Sequence, residues 1–302
     1  MELPLVVGVD GSDSSLAAVD WAVGEAARHG LPLHLVHASL WERYETARPS
    51  FSTGRPAGEV TAEHVIASCV ERARQRDANV KVSAEVLPED AVDALLRTGT
   101  EAFALVTGCR GRGEVAGTLL GSVSLAVAAR ALCPVVVVRG AERNREGALG
   151  SVAVAVGETA DGTAGGTESV RFALREAEVR GCAVTAVRAW RIPSQEPVDH
   201  MLIADDAARL REERAAAALE DALREVVRDH PRVEVRRRVV EGPAHRVMLE
   251  AAAGADLVVV GARRRHGPFG LQLGRIAHTL LHHAPCPVAV VPHPDPGEGR
   301  AT

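Results

Sequence analysis

The 302-residue sequence predicts an α/β protein of two tandem domains, each a doubly wound sheet of five parallel strands. Two observations lead to this fold class. First, the chain repeats itself: ALCPVVVVRG at 131–140 returns as APCPVAVVPH at 284–293, and FALVTGCRGRG at 103–113 returns as DLVVVGARRRH at 256–266. Second, short runs of apolar, β-branched residues alternate with helical patterns in both copies, as expected for parallel sheets covered on both faces.

The repeat divides the chain into a first domain at 1–140 and a second domain at 150–292. Both domains have an ordinary size for independent folding units. The segment between them, GAERNREGALG at 140–150, is polar, contains glycine and lacks hydrophobic periodicity. We therefore predict that it is a linker.

The first domain opens with a strand and an amphipathic helix. The run LPLVVGVD at 3–10 predicts a strand whose carboxyl end lies at Asp10. Ser12, Asp13 and Ser14 are residue types that cap helix N termini, and the apolar periodicity after them continues to about Arg28.

The remaining elements alternate in the same way. Strands two to five of the first domain are predicted at LPLHLVHAS, VKVSAEVL, FALVT and PVVVV. Helices are predicted from 59 to about 77, near 89–98 and from 122 onward, and a loop rich in Pro, Ser and Gly occupies roughly 41–58. The second domain repeats the order, with strands near 151–156, 183–190, 232–240, 257–260 and 288–291. Each domain is therefore expected to be Rossmann-like.

Composition excludes several classes of function. The net charge of -5 and an aromatic content of 3% argue against nucleic acid as a partner. Lys81 is the only lysine, so the chain has no Gly-Lys-Ser/Thr and no P-loop. The five cysteines are an odd number without metal-ligand spacing, and no apolar run reaches membrane length. We expect free thiols in a cytoplasmic protein without a membrane partner.

Glycines cluster after the fourth strand, where the segment from Gly108 to Ser124 reads GCRGRGEVAGTLLGSVS. In doubly wound sheets, ligands bind beyond the carboxyl ends of strands where the strand order reverses. If strands one and four are adjacent, Asp10 and this segment face one crevice. Glycine lets backbone amides approach an anion, Ser122 is predicted to cap the next helix, and a carboxylate suits ribose hydroxyls. Together they indicate a nucleotide site.

The spacing Gly108-x2-Gly111-x9-Gly121-Ser122, followed by Val123-Ser124, resembles the glycine motif of ATP-binding universal stress proteins. VVGVDGS and LCPVVVV also resemble the first and last strands of that family. The resemblance covers both halves, so the chain resembles a tandem universal stress protein.

The resemblance implies a role for each matching position. Asp10 would contact the nucleoside, the backbone of Ala38 would hold adenine, and Thr107 with Gly108 would lie along the ribose. Gly111 would lie beside the phosphates, and the phosphate chain would receive amides and hydroxyls from the α-helix N terminus. The residues of that terminus are Gly121, Ser122, Val123 and Ser124. Mg²⁺ would accompany ATP, with no separate protein metal site and no catalytic residue implied.

Other interpretations of these residues remain open at this point. The glycine segment is alternatively a flexible connection, and Asp10 a turn or N-cap residue. Arg110 and Arg112 either attract phosphates or are solvated loop residues. Cys133 and Cys286 are predicted to be small buried residues that precede the last strand of each domain.

The second half departs from the motif at three positions. Gly157 replaces Asp10, Arg264 replaces Gly111 and Arg275 replaces Ser122, whereas Gly261 and Gly274 are retained. We predict a degenerate nucleotide site. Alternatives for this half are an anion site at 263–266, RRRH, and a zinc site at His278 and His282, which lacks an evident third ligand.

Two classes of function fit these observations. The first is a regulatory, adenine-nucleotide-binding protein of the stress response. The second is a slow ATP hydrolase or nucleotidyl-transferring enzyme of a related α/β fold. The glycine segment supplies no obvious base, and Asp10 would be occupied by the nucleoside, so binding is favoured over catalysis. We also expect the two halves to pair through their fifth strands as an internal pseudo-dimer, with a homodimer left open.

Overall fold

A computed structural model describes residues 2–40, 57–111, 120–158, 164–165, 167–191, 201–263 and 273–293. The chain forms two compact units, the first containing Met1–Arg139 and the second containing Gly140–Arg265. Within the described residues, no helix is both long and apolar enough to cross a membrane.

The first unit is a five-stranded sheet flanked by helices. All its neighbouring strands are parallel, in the order β3-β2-β1-β4-β5. Its elements are β1 (Leu5–Gly8), α1 (Asp13–His29), β2 (Leu33–Ala38), α2 (Ala57–Arg76), β3 (Val82–Leu87), α3 (Ala91–Thr98), β4 (Ala104–Gly108), α4 (Ser122–Arg130) and β5 (Val135–Val138). The strand order reverses between β1 and β4, which pair directly, so the condition for one crevice shared by Asp10 and the glycine segment is met.

The second unit repeats this architecture. Its five main strands are parallel, in the order β10-β9-β6-β11-β12. Its elements are α5 (Glu142–Arg145), β6 (Ser151–Ala155), β7 (Gly157–Glu158), β8 (Ala164–Gly165), α6 (Thr167–Arg180), β9 (Ala183–Trp190), α7 (Met201–Arg224), α8 (Val226–Asp229), β10 (Val235–Glu241), α9 (Ala244–Ala253), β11 (Leu257–Arg263), α10 (Arg275–His283) and β12 (Val288–His293). The predicted fold class is confirmed, and β7 and β8 add a small antiparallel pair that the sequence did not indicate.

Helix α1 shows how local sequence sets the element boundaries. Ser12 is the N-cap, and its hydroxyl accepts a hydrogen bond from the Ser15 amide at 3.2 Å. The helix ends at Gly30, whose φ of 68° is left-handed, and the Gly30 amide bonds to the carbonyls of Ala26 and Ala27. The first of the three predicted capping residues is therefore the one that the helix uses.

The segment 140–150, predicted to be a linker, has ordered local structure. It contains the helical turn α5, and Asn144 within this turn is 1% exposed. The Asn144 side-chain amide donates to the Ala255 carbonyl at 2.8 Å. The Asp256 carboxylate accepts from the amides of Leu149 and Ser151 at 2.9 and 3.2 Å. These bonds tie the segment to the start of β11 within the second unit and satisfy the buried side-chain amide of Asn144.

Cys133 is buried just before β5, as its position predicts. Burial raises the pKa of the Cys133 thiol to about 11, so little reactive thiolate is present near neutral pH. We expect iodoacetamide at pH 8 to label the partly exposed Cys109 and Cys182 of the native chain well before Cys133, as followed by mass spectrometry. Urea should remove the difference. Native labelling of Cys133 as fast as that of Cys109 would contradict this description.

Candidate functional site

A cavity of about 680 Å³ opens beyond the carboxyl ends of β1 and β4. Its volume is ordinary for a small-molecule site, and its position is the one at which doubly wound sheets bind ligands. All nine residues predicted from the sequence line it. They are Asp10, Ala38, Thr107, Gly108, Gly111, Gly121, Ser122, Val123 and Ser124. The fold thus gathers positions that are as far apart as 114 residues into one concave surface.

The sequence left open whether Asp10 binds a ligand or stabilises a turn. In the structure, Asp10 stabilises a turn and also lines the cavity. Its Oδ1 accepts hydrogen bonds from the Ser12 amide at 2.9 Å and the Ser12 hydroxyl at 2.6 Å. This Asx turn leads into α1 and fixes the orientation of the carboxylate. The carboxylate is therefore preorganised at the cavity wall, where it can accept hydrogen bonds from a ligand hydroxyl.

Gly111 lies directly against this carboxylate. A Cβ atom at position 111 would be 2.9 Å from Asp10 Oδ2, closer than real Cβ atoms come to such neighbours. Because Oδ1 is held by two hydrogen bonds, the carboxylate has little freedom to move away. Any side chain at position 111 would thus disturb Asp10 as well as occupy the cavity.

Gly108 is required for packing more than for access to a ligand. A Cβ atom there would lie 2.5 Å from the Ser14 carbonyl oxygen and 2.5 Å from the Ser14 hydroxyl. The first turn of α1 therefore passes directly over the end of β4. Ser124 stabilises the same region, because its buried hydroxyl donates to the Gly108 carbonyl at 2.7 Å. The Ser124 hydroxyl was predicted to donate a hydrogen bond to the phosphate chain of the nucleotide. In the structure it donates to the Gly108 carbonyl instead.

The predicted capping role of Ser122 is wrong. Gly121 occupies the N-cap of α4, with φ of -73° and ψ of 149°, and provides no side-chain hydrogen bond, so Ser122 is the first helical residue. The Gly121 amide bonds to the Cys109 carbonyl at 2.8 Å, which fixes the entry to the helix. Within the part of the chain that the structure describes, no side-chain cap is formed at the start of α4, and this end of the helix borders the cavity, so it is suited to an anion.

Thr107 presents a buried hydroxyl without a partner. The residue is 4% exposed, and its Oγ1 makes no hydrogen bond within the described part of the chain. Buried hydroxyls are costly when unpaired, because they give up their bonds to water. Since Thr107 lines the cavity, a ligand hydroxyl or a bound water molecule could satisfy it.

His37 is a cavity residue that sequence reasoning missed. Its Nδ1 lies 2.7 Å from the Val9 carbonyl oxygen, and a carbonyl only accepts, so Nδ1 carries the proton. In the neutral ring, Nε2 is then a hydrogen-bond acceptor. The sequence did contain a signal for this residue. His37 immediately precedes Ala38 at the carboxyl end of β2, and carboxyl ends of strands border the ligand site in this fold.

Of the two arginines predicted either to attract phosphates or to be solvated, only Arg110 lies within the described residues. Arg110 lines the cavity with an exposed side chain, and its amide bonds to the Ser14 hydroxyl at 3.1 Å. From this position the Arg110 side chain can reach a phosphate group in the cavity, and it is equally compatible with a solvated loop residue. Arg112 lies outside the described residues.

A second cavity, of about 620 Å³, occupies the equivalent place in the second unit and is lined by Gly157 and Arg275 among others. Gly274 is the N-cap of α10, so Arg275, like Ser122 in the first unit, is the first helical residue and not the cap. Gly261 is explained by packing, since a Cβ atom there would lie 2.0 Å from the His293 ring. For the alternative zinc site, the rings of His278 and His282 stack with centroids 4.5 Å apart. For the alternative anion site at 263–266, positions 264–266 lie outside the described residues.

The model of the universal stress protein family matches the chain twice, at residues 3–139 and 148–292. The chain belongs to this family. A universal stress protein of Mycobacterium tuberculosis is 32% identical over 298 residues, which cover 95% of this chain and 96% of that protein. The chain is thus a tandem universal stress protein, as its repeat predicted.

Solved structures agree with this fold. A universal stress protein from Archaeoglobus fulgidus has 18% sequence identity and a TM-score of 0.58, and the match covers 97% of this chain and 99% of that chain. A shorter universal stress protein, solved in complex with cAMP, has 31% identity and a TM-score of 0.36, and covers 46% of this chain and 98% of that chain. The full-length match shows that another universal stress protein shares this fold across both repeats.

Proposed function

We propose that this universal stress protein binds one adenine nucleotide, ATP, in the cavity of its first unit and acts as a nucleotide-dependent regulator in the stress response. The observation that carries the proposal is that all nine motif positions line a single cavity at the strand-order reversal. A surface loop without a binding role would have no reason to place Asp10, a glycine and an uncapped helix N terminus around one space.

The chemistry of the cavity wall matches the parts of a nucleotide. Asp10 accepts hydrogen bonds, and Thr107 carries a hydroxyl that has no hydrogen-bond partner among the described residues, so both suit the ribose. The N terminus of α4 offers amides and a favourable dipole to the phosphates, beside Gly111. Ala38 and the acceptor nitrogen of His37 border the remaining part, where the adenine would lie. Mg²⁺ would be bound through the phosphates of ATP.

The alternative is a slow ATP hydrolase or nucleotidyl transferase. Phosphoryl transfer needs a group that orients the attacking nucleophile. Among the described residues that line the cavity, the carboxylate of Asp10 is held by Ser12 and the His37 ring by the Val9 carbonyl. Such orientation does not itself oppose catalysis, but the proposal places Asp10 at the ribose and His37 at the adenine, away from the phosphates, so we favour binding. Sustained turnover of Mg-ATP by purified protein, lost in Ser122→Ala, would instead establish the enzyme.

The ligand can be identified directly. Protein purified from its native host should release an adenine nucleotide on denaturation, which mass spectrometry would distinguish as ATP, ADP or AMP. Release of a compound without an adenine ring, in stoichiometric amount, would exclude the proposal.

Replacing Ser122 with alanine should weaken ATP binding only about two- to tenfold, because one hydrogen bond is worth about 0.5–1.5 kcal/mol. The helix should persist, since its N-cap is Gly121 and not Ser122. Calorimetric titration measures the affinity, and circular dichroism checks the helix content. Complete loss of binding with intact structure would mean that Ser122 has a larger role than one hydrogen bond.

We further propose that the two repeats associate as an internal pseudo-dimer. Each has an apolar fifth strand, β5 or β12, and an uncovered strand edge is an association hazard. Co-expressed separate halves should then purify together, and size-exclusion chromatography would show this. Two stable halves that elute as independent monomers would refute the association.

A further inference from the structure

We propose that the cavity of the second unit binds a compact polyanion, such as a small molecule with several phosphate groups, through arginine side chains. This site is separate from the nucleotide site of the first unit, and neither proposal depends on the other. The cavity measures about 620 Å³ and lies beyond the carboxyl ends of β6 and β9. The described residues that line it include no aspartate or glutamate and five arginines, namely Arg188, Arg191, Arg211, Arg214 and Arg275.

Arg188 places a guanidinium group at the base of this cavity. The β6–β9 register pairs Val152 with Val184, as the β1–β2 register pairs Leu5 with Leu33. Counting forward from these pairs, Arg188 stands where the first unit has His37. The residue is only 3% exposed, and its Nη1 donates to the Gly157 carbonyl at 3.2 Å.

Three replacements change the charge of the cavity in the same direction. Gly157 removes the carboxylate of Asp10, Arg188 puts a permanently charged guanidinium in place of the His37 imidazole, and Arg275 replaces the hydroxyl of Ser122. The consistent gain of positive charge favours an anion as the ligand.

Two helix N termini add to the positive potential. Helix α9 begins after Pro243 and α10 after Gly274, and neither N-cap provides a side-chain hydrogen bond. Ala244 and Ile276, near the starts of these helices, line the cavity. The first amides of both helices thus border the same space as the arginines, and such amides bind phosphate groups well.

The rim of the cavity carries three exposed arginines, Arg191, Arg214 and Arg275. None of them forms an ion pair with another residue in the described part of the chain. Arginine binds phosphate bidentately, and several cations around one space favour a ligand that carries more than one negative charge. Charge, not a glycine loop, would therefore select the ligand.

The test uses the full chain and inorganic tripolyphosphate as the probe in calorimetric titration. Wild-type protein should bind one tripolyphosphate at this site, with an affinity that falls as salt is raised. Arg214→Ala combined with Arg275→Ser, which copies the residue of the first unit, should weaken this binding at least about tenfold. Arg228→Ala removes an exposed arginine outside the cavity and should leave the affinity unchanged.

Two further measurements keep the outcome unambiguous. Tryptophan fluorescence should change on binding, because Trp190 lines the cavity, and the change should be absent in Trp190→Phe. Ser122→Ala in the first unit should leave this binding event unaltered. The proposal is overturned if wild-type protein does not bind the probe, or if the double variant binds it as tightly as wild type. It is also overturned if Ser122→Ala, and not the double variant, removes binding. Failure of ATP binding in the first unit would change none of these results.

Discussion

Replacing Gly111 with arginine should lower the affinity for ATP by at least about 100-fold, equivalent to about 2.7 kcal/mol. The substitution copies the residue of the second repeat, Arg264, into the first. The new Cβ atom would lie 2.9 Å from Asp10 Oδ2, and Asp10 is held in place by Ser12. Beyond Cβ, the long side chain would occupy the space proposed for the phosphates. Steric exclusion should therefore cost far more than the single hydrogen bond lost in Ser122→Ala.

A matched control is Gly157→Arg in the second unit. No atom of the described residues lies within 4 Å of the Cβ that it would introduce, so the same change of charge and size meets no obstacle among them. Its first unit should bind ATP with the affinity of the wild-type chain in calorimetric titration at about 0.3 M salt, which suppresses binding by charge alone in the second cavity. If Gly111→Arg retains wild-type affinity, then Gly111 does not border the nucleotide.

Replacing Gly108 with alanine should destabilise the first unit by about 3 kcal/mol, the upper part of the usual range for overpacking. The added methyl group would lie 2.5 Å from the Ser14 carbonyl oxygen and 2.6 Å from its carbonyl carbon. Backbone atoms cannot rotate away as a side chain can, so the start of α1 or the end of β4 must shift. That shift would also strain the hydrogen bond from Ser124 to the Gly108 carbonyl.

Urea unfolding monitored by circular dichroism measures this effect. Gly24→Ala is the matched control, because its Cβ would have ordinary contacts of 3.6 Å or more within α1. Alanine is also favoured over glycine inside a helix, so this variant should be slightly more stable than wild type. Equal unfolding midpoints for the two variants would show that the close approach of Ser14 and Gly108 is not tight.

The fold was predictable because its signals are local or repeated. Strand β9 spans Ala183–Trp190, as its apolar run indicated, and α1 begins after the Ser12 cap. The turn α5 was missed because four residues are too short to show a helical period, and its stability comes from the distant partner of Asn144. The pair β7 and β8 has only two residues in each strand, which is also below what a pattern can reveal.

The sequence predicted where the candidate site lies, but it did not predict the structural reason for each of its residues. Asp10 and the glycine segment follow from strand ends that meet at one edge of a parallel sheet. The reason for Gly108 was not predictable, because Ser14 approaches it from 94 residues away in the chain. The orientation of the His37 ring was not predictable, because it depends on a contact with the carbonyl of Val9, which follows β1 and lies 28 residues earlier in the chain. Gly121 and Ser122 are both acceptable N-caps by residue type, so only backbone geometry distinguishes them.

The most direct test of the central proposal is the number of ATP molecules bound by one chain. Calorimetric titration with Mg-ATP at about 0.3 M salt suppresses binding that depends on charge alone. We expect one ATP for each chain in the wild-type protein and none in Gly111→Arg. Two equivalent sites for each chain, or one site that persists unchanged in Gly111→Arg, would contradict the assignment of nucleotide binding to the first unit.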